Sequence, residues 1–199
     1  MRRVSVVLFS LLALCDCASG PLSNTGTFLP PEHIQQLAEG KVCCSSYREI
    51  RYGSLGVGKE VEFAITPESP IFEFNNGRSF FEAFEFPAGN AQILTLKTYP
   101  VNMLYSRAGH VLVPGIQFLD AELRVIDAQT PKYIARNPRV IGRSWGEAEI
   151  NVPSAARFVV ILDGKSSGGL SWRDSDQRGG ALFVRSGPTG ELSIAVSGG

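Results

Sequence analysis

The stretch I-F-E-F-N-N-G-R-S-F-F-E-A-F-E-F-P, Ile71 to Pro87, carries six of the twelve phenylalanines of a 199-residue chain. Phe72 and Phe74 flank Glu73, and Phe84 and Phe86 flank Glu85, so each half puts two rings on one face and a carboxylate on the other. That period of two belongs to strands. Asn76-Gly77, between the halves, tolerates the positive φ of a tight turn, which predicts a β-hairpin. Phe80 and Phe81 fall on opposite faces and Glu82 falls on the face of Phe84, a conflict that a bulge near Phe81 would resolve. Rings this dense remove a large apolar area from water, so the hairpin is expected at the centre of the core. Alternation places Phe74, Phe84 and Phe86 on one buried side of it.

Working outward, the rest of the chain repeats strand, turn, strand. Leu94 and Leu96 alternate with Thr95 and Lys97, and Leu123, Val125 and Ile126 with Glu122 and Arg124. Ala148, Ile150 and Val152 alternate with Glu147, Glu149 and Asn151, and Leu192, Ile194 and Val196 with polar neighbours. Val111 to Leu119 contains Pro114-Gly115, a bulge or edge signal, and Ala181 to Val184 is a further short strand. Phe158 to Leu162 is apolar throughout, as a strand covered on both faces must be. Pro131 to Arg143 is a basic, irregular connection on the surface. One helix is expected, from Pro30-Pro31 to the stop at Gly40, with Ile34 and Leu37 on one side. About ten strands and almost no helix predict an all-β fold, a two-layer antiparallel β-sandwich of jelly-roll type with one short N-terminal helix. A closed barrel is the alternative. The expected organisation is an export signal over 1–20, a linker and the helix over 21–40, and a single sandwich domain over 41–199.

Composition bounds the function classes. The formal net charge is zero, so no basic surface calls for nucleic acid or an anionic membrane. Arg2-Arg3, the apolar run Val4 to Leu14, and the small and polar end to Gly20 read as an export signal, too short for a membrane span. The expected location is the periplasm, soluble or lipid-anchored. Leu12-Ala13-Leu14-Cys15 approaches a lipoprotein signal, and Cys17 follows Asp16. Lipidation at Cys15 or Cys17 and simple cleavage near Gly20 both stay open, and a lipid would be the sole membrane attachment.

Cys43 and Cys44 are then the remaining thiols. Adjacent cysteines can form a vicinal disulfide, pair with other proteins or stay reduced and buried. With His33 and His110 the only histidines, a multi-histidine metal site is excluded by count, and no cofactor motif is present. Gly53 to Lys59 mimics a phosphate-binding loop, but Glu60 stands where a hydroxyl should hold magnesium, and V-E-F-A-I alternates as a strand where that motif needs a helix.

The polar stretch Gly168 to Gly180 reads as a loop between core strands. Trp172 with Arg173, Asp174, Asp176 and Gln177 supplies the aromatic face and planar polar groups that hold sugars. The same residues also suit a solvated loop whose tryptophan caps the sandwich edge. Trp145, beside Gly146 at a strand start, is the competing aromatic. Glu73, Glu82, Glu85, Asp120, Glu147 and Glu149 have the residue type of a glycosidase pair, but alternation gives most of them a solvent face, and no catalytic residue is assigned.

Five segments together resemble the periplasmic protein of the bacterial maltose operon and its lipoprotein-like relatives, the MalM-like family. They are C-C-S-S-Y-R-E-I at 43–50, G-R-S-F-F-E-A-F-E-F-P at 77–87, V-P-G-I-Q-F-L-D at 113–120, R-F-V-V-I-L at 157–162 and G-P-T-G-E-L-S-I-A-V at 187–196. The resemblance implies a non-enzymatic accessory of maltose or maltodextrin transport, with maltodextrin or a periplasmic or outer-membrane transport protein as partner. It carries over no catalytic residues. A lipid-tethered structural or interaction module of the envelope, without sugar binding, is the alternative.

Overall fold

The structure, a computed structural model, describes residues 31–87, 91–101, 109–136, 143–165, 168–172 and 182–198, with residues 31, 32, 91, 172 and 182 described by their backbone alone. One sheet is ordered β1 (Gly53–Ser54), β4 (Gly77–Glu85), β11 (Phe158–Asp163), β7 (Pro114–Leu119) and β8 (Val125–Gln129), with β3 (Ile71–Phe74) also paired to β4. The second is ordered β2 (Glu60–Ile65), β14 (Gly190–Gly198), β5 (Ala91–Tyr99), β10 (Trp145–Asn151) and β9 (Ile134–Arg136). A third, small sheet joins β12 (Gly169–Trp172), β13 (Leu182–Ser186) and β6 (His110–Val111). All pairings are antiparallel except β1 with β4 and β6 with β13. The fold is therefore an all-β sandwich with one N-terminal helix, α1 (Pro31–Glu39).

The hairpin sits where the sequence places it, but its turn and faces differ from the simple reading. Phe74 pairs with Gly77, so Asn75 and Asn76 are the loop residues, and Gly77 alone takes the positive φ of 101°. Register then puts Phe72 opposite Ser79 and Ile71 opposite Phe80. Because directly opposed residues share a face, Phe72 and Phe74 continue into Phe81 and Ala83, not into Phe84 and Phe86. Phe74 is buried as expected, yet on the opposite side of the sheet from Phe84 and Phe86. The bulge near Phe81 is absent, since β4 pairs with β11 without a shift from Phe81 to Glu85. Glu82 is accommodated half-buried at a gap in the β4 edge, between Phe80, the last residue paired with β3, and Phe84, the first paired with β1.

The sheet that holds β4 is thus covered twice. Inward, Phe80, Phe84, Phe86, Ile116, Phe118, Val159 and Ile161 meet Leu94, Leu96, Ile150, Leu192 and Ile194 of the facing sheet in one cluster. Phe63 of β2 and Phe84 meet edge to face at 5.0 Å across it. Outward, Phe72, Phe74, Phe81, Leu119, Val160 and Leu162 form a second cluster closed by Ile50, Cys44, Tyr47 and Tyr52. Each fully buried ring contributes about 1.5–3 kcal/mol by removal from water. β11, apolar at every central position, faces both clusters, as do its neighbours β4 and β7.

Other expectations shift in detail. The 111–119 segment divides into β6 and β7, with Pro114 at the first position of a fully buried central strand, where no preceding ladder bond is lost. β8 begins at Val125 and is exposed, and Leu123 takes φ 64° in the turn before it. The basic connection contains β9, and its residues 137–142 lie outside the described residues. The phosphate-loop mimic leads into strand β2 and no helix follows it. Helix α1 docks through Arg78 of β4, whose guanidinium donates to the carbonyls of Ala38 and Gly40 and so satisfies its C-terminal end.

Candidate functional site

Alternation along β5 and β10 sends Leu94, Leu96, Ala148 and Ile150 into the core and therefore turns Lys97, Tyr99, Trp145 and Glu147 outward together. Glu147 lies directly opposite Lys97, and Gly146 opposite Thr98, which fixes Trp145 and Tyr99 on the same outer face of neighbouring strands. β14 adds Glu191 opposite Tyr99 and Ser193 opposite Lys97, and β9 adds Arg136 opposite Trp145. The glycine beside Trp145 leaves room for the Leu170 side chain. A Cβ at Gly146 would stand 2.4 Å from Leu170 Cδ1, because the small sheet presses Leu170 onto the core there.

Both aromatic rings are half-buried and wired into polar partners. Trp145 donates its indole N–H to Glu147 Oε2 at 3.1 Å, and Arg136 Nε donates to Glu147 Oε1 at 3.3 Å. Arg143 lies over the Tyr99 ring, 4.7 Å from its centroid, and pairs with Glu191. Lys97 Nζ donates to Glu60 Oε1 at 2.8 Å, and the Ser193 hydroxyl donates to the same oxygen. The Lys97 bond, then the Ser193 bond, hold the Glu60 carboxyl below its ordinary range, and Glu60 in turn pushes Lys97 up. The face is a band of two aromatic rings ringed by carboxylates, guanidinium groups and hydroxyls.

At Glu191 this band runs into a cleft of about 430 Å³ lined by His33, Ile65, Thr66, Val101, His110 and Thr189, among others. Thr189 Oγ1 stands 3.2 Å from His110 Nε2 and 3.4 Å from His33 Nδ1, so one hydroxyl joins the two histidines of the chain. The Thr66 hydroxyl donates to Glu68 Oε2 at 2.7 Å and, together with a backbone hydrogen bond, holds that carboxyl below its ordinary range. Periodicity gave no sign of this trio, because its members are 79 and 156 residues apart in sequence. Among the described residues no group of three or more His, Cys, Asp or Glu side chains could hold a metal.

The sequence-named loop is only partly placed. Trp172 ends strand β12, paired with Leu182, so the stretch expected to be loop throughout begins as a strand. Arg173, Asp174, Asp176 and Gln177 lie outside the described residues, as do Cys15 and Cys17. Cys43 and Cys44 are joined by a disulfide at a cavity of about 330 Å³ on the other sheet. Glu82, in the wall of that cavity, has its carboxyl pushed up by burial, partly offset by a hydrogen bond with Ser69.

No helix among the described residues is long and apolar enough to cross a membrane. Compared with known proteins, the chain matches no family model, no curated protein and no solved structure.

Proposed function

We propose that the chain is a non-enzymatic binding protein of the periplasm, an accessory of carbohydrate transport that holds a maltodextrin-type ligand on the outer face of the five-stranded sheet. The observation that carries this reading is the row of Trp145 and Tyr99 bordered by Glu147, Lys97, Glu191 and Ser193. Sugar rings present an apolar face flanked by hydroxyls, and a half-exposed ring between planar polar groups complements both parts. The neighbouring cleft extends the band, as an oligosaccharide longer than one ring requires. The export-signal sequence and the resemblance to maltose-operon proteins support the same class of ligand.

Binding suits this face better than hydrolysis. A glycosidase needs one carboxyl kept protonated opposite a second carboxylate. Here Glu60, Glu147 and Glu191 are each committed to a cation, and Glu60 is held in its charged form. The carboxyl that burial pushes up, Glu82, belongs to the other sheet.

A second reading, an envelope interaction module, is favoured by exposed Val125 and Ile126 on edge strand β8 and Ile134 on edge strand β9. Tryptophan fluorescence and calorimetry with a maltodextrin series separate the two on the wild type, Trp145→Phe and Trp172→Phe. Saturable quenching that survives Trp172→Phe and weakens at least tenfold (~1.4 kcal/mol) in Trp145→Phe is expected. No response of the wild type in either assay removes sugar binding and leaves the interaction module.

A further inference from the structure

The segment from Cys43 to Tyr52 is a strap over the outer face of the six-stranded sheet. Its start is anchored where the Cys43 N–H donates to the Ile71 carbonyl at 2.8 Å. Its middle is anchored where Tyr47 Oη donates to Gln117 Oε1 at 2.6 Å and Glu49 accepts both the N–H and the hydroxyl of Ser45. Beyond it, the Tyr52 ring packs on Phe158 at 4.6 Å. Between strap and sheet, at the gap in the β4 edge over Phe81, Glu82 and Ala83, lies the cavity of about 330 Å³ whose wall includes Cys43, Cys44, Glu49 and Arg51.

A disulfide between adjacent residues closes the smallest loop a chain allows, so it scarcely restricts the unfolded ensemble and adds little to global stability. The two sulfurs also differ in surroundings: Cys43 is exposed, whereas Cys44 is half-buried against the outer cluster. We propose that Cys43–Cys44 is a thiol–disulfide exchange site open to dithiol reductants in the folded protein, and that its redox state sets the wall of the cavity beneath it.

The step balances as a two-electron transfer. A thiolate of the dithiol attacks the exposed Cys43 Sγ, the Cys43–Cys44 bond breaks, and Cys44 leaves as a thiolate that takes a proton from water. The second thiol of the reductant, deprotonated, attacks the mixed disulfide, so the reductant departs as a disulfide and Cys43 is released and protonated. Arg51, on the same cavity wall, provides a positive charge that favours the departing thiolate. Because the anchors at Ile71, Gln117 and Ser45–Glu49 do not involve the sulfurs, opening the bond frees the 43–44 peptide without releasing the strap. The change is local to the cavity.

The test treats the native, purified protein with dithiothreitol, alkylates with iodoacetamide, reads the Cys43–Cys44 peptide by mass spectrometry and follows amide shifts by NMR. Expected are a closed disulfide before treatment, reduction within about tenfold of the rate in urea, and shift changes confined to 43–51 and 81–83. The Cys43→Ser, Cys44→Ser double variant should reproduce the 81–83 shifts without reductant and remain folded. Thiols that are free in the untreated protein, reduction that requires urea, or amides at 81–83 that ignore both reduction and the double variant would each overturn the proposal.

Discussion

Trp145 and Glu147 occupy alternate positions of one strand, and the indole N–H of the first donates to Oε2 of the second at 3.1 Å. The carboxylate therefore sets the attitude of the ring on the sheet face, while its other oxygen holds Arg136. Glu147→Ala should release the indole, shift its emission to the red and weaken the proposed maltodextrin binding about tenfold. Melting should move little, since a partly exposed ion pair contributes at most about 1 kcal/mol. Undiminished binding in Glu147→Ala, alongside its loss in Trp145→Phe, would mean the carboxylate does not position the ring.

Phe81 and Phe84 stand on the same strand but belong to different clusters, one under the strap and one between the sheets. Replacing either by Ala should cost roughly 3–5 kcal/mol, as for other buried phenylalanines. The variants should differ in where the damage appears. Hydrogen exchange over 43–52 should rise in Phe81→Ala and stay near wild type in Phe84→Ala at equal denaturant distance from the midpoint. Equal strap exchange in both would contradict the two-sided core, and an unchanged melting temperature in Phe84→Ala would remove that ring from it.

The sandwich was legible because alternation is a local property, visible within five residues, and β5, β10 and β14 fall where it places them, while β11 falls on the unbroken apolar run from Phe158 to Leu162. What alternation cannot supply is the parity that passes through a turn. The two-residue loop at Asn75 and Asn76 decides which ring joins which cluster, and a one-residue change in that loop exchanges the faces. The same limit explains the site. Trp145 was visible as an aromatic at a strand start, but Tyr99 comes to it only through the pairing of β10 with β5, and Glu191 and Ser193 only through that of β14 with β5, nearly a hundred residues apart in sequence.

Thr98 tests whether the sheet ends depend on single buried bonds. It is fully buried, and its hydroxyl donates to the Leu112 carbonyl at 2.6 Å, tying β5 to the segment between β6 and β7. Thr98→Val keeps the shape but leaves that carbonyl without its donor, at a cost of about 1–3 kcal/mol in a denaturant melt. Thr98→Ser keeps the donor and loses one methyl, about 1 kcal/mol. A valine variant as stable as the serine variant would show that Leu112 finds another donor.

Asp120 gives the fold an acid-sensitive turn. Its Oδ1 accepts the backbone N–H groups of Glu122 and Arg124, and its Oδ2 accepts Arg124 Nε at 2.7 Å. The backbone bond from Arg124, followed by the Arg124 side chain, holds the carboxyl below its ordinary range. A group whose folded pKa lies below its unfolded value contributes stability above the unfolded value, about pH 4 for Asp, and loses it as pH falls through the folded value. Asp120→Asn should therefore have a lower urea midpoint than wild type at pH 7, and the gap should shrink as the pH is taken from about 4 downward. Other carboxylates titrate in that range, and the difference between the two proteins cancels them to first order. A gap that stays constant from pH 7 to pH 2.5 would mean that the charge of Asp120 contributes nothing and that its turn is held by shape alone.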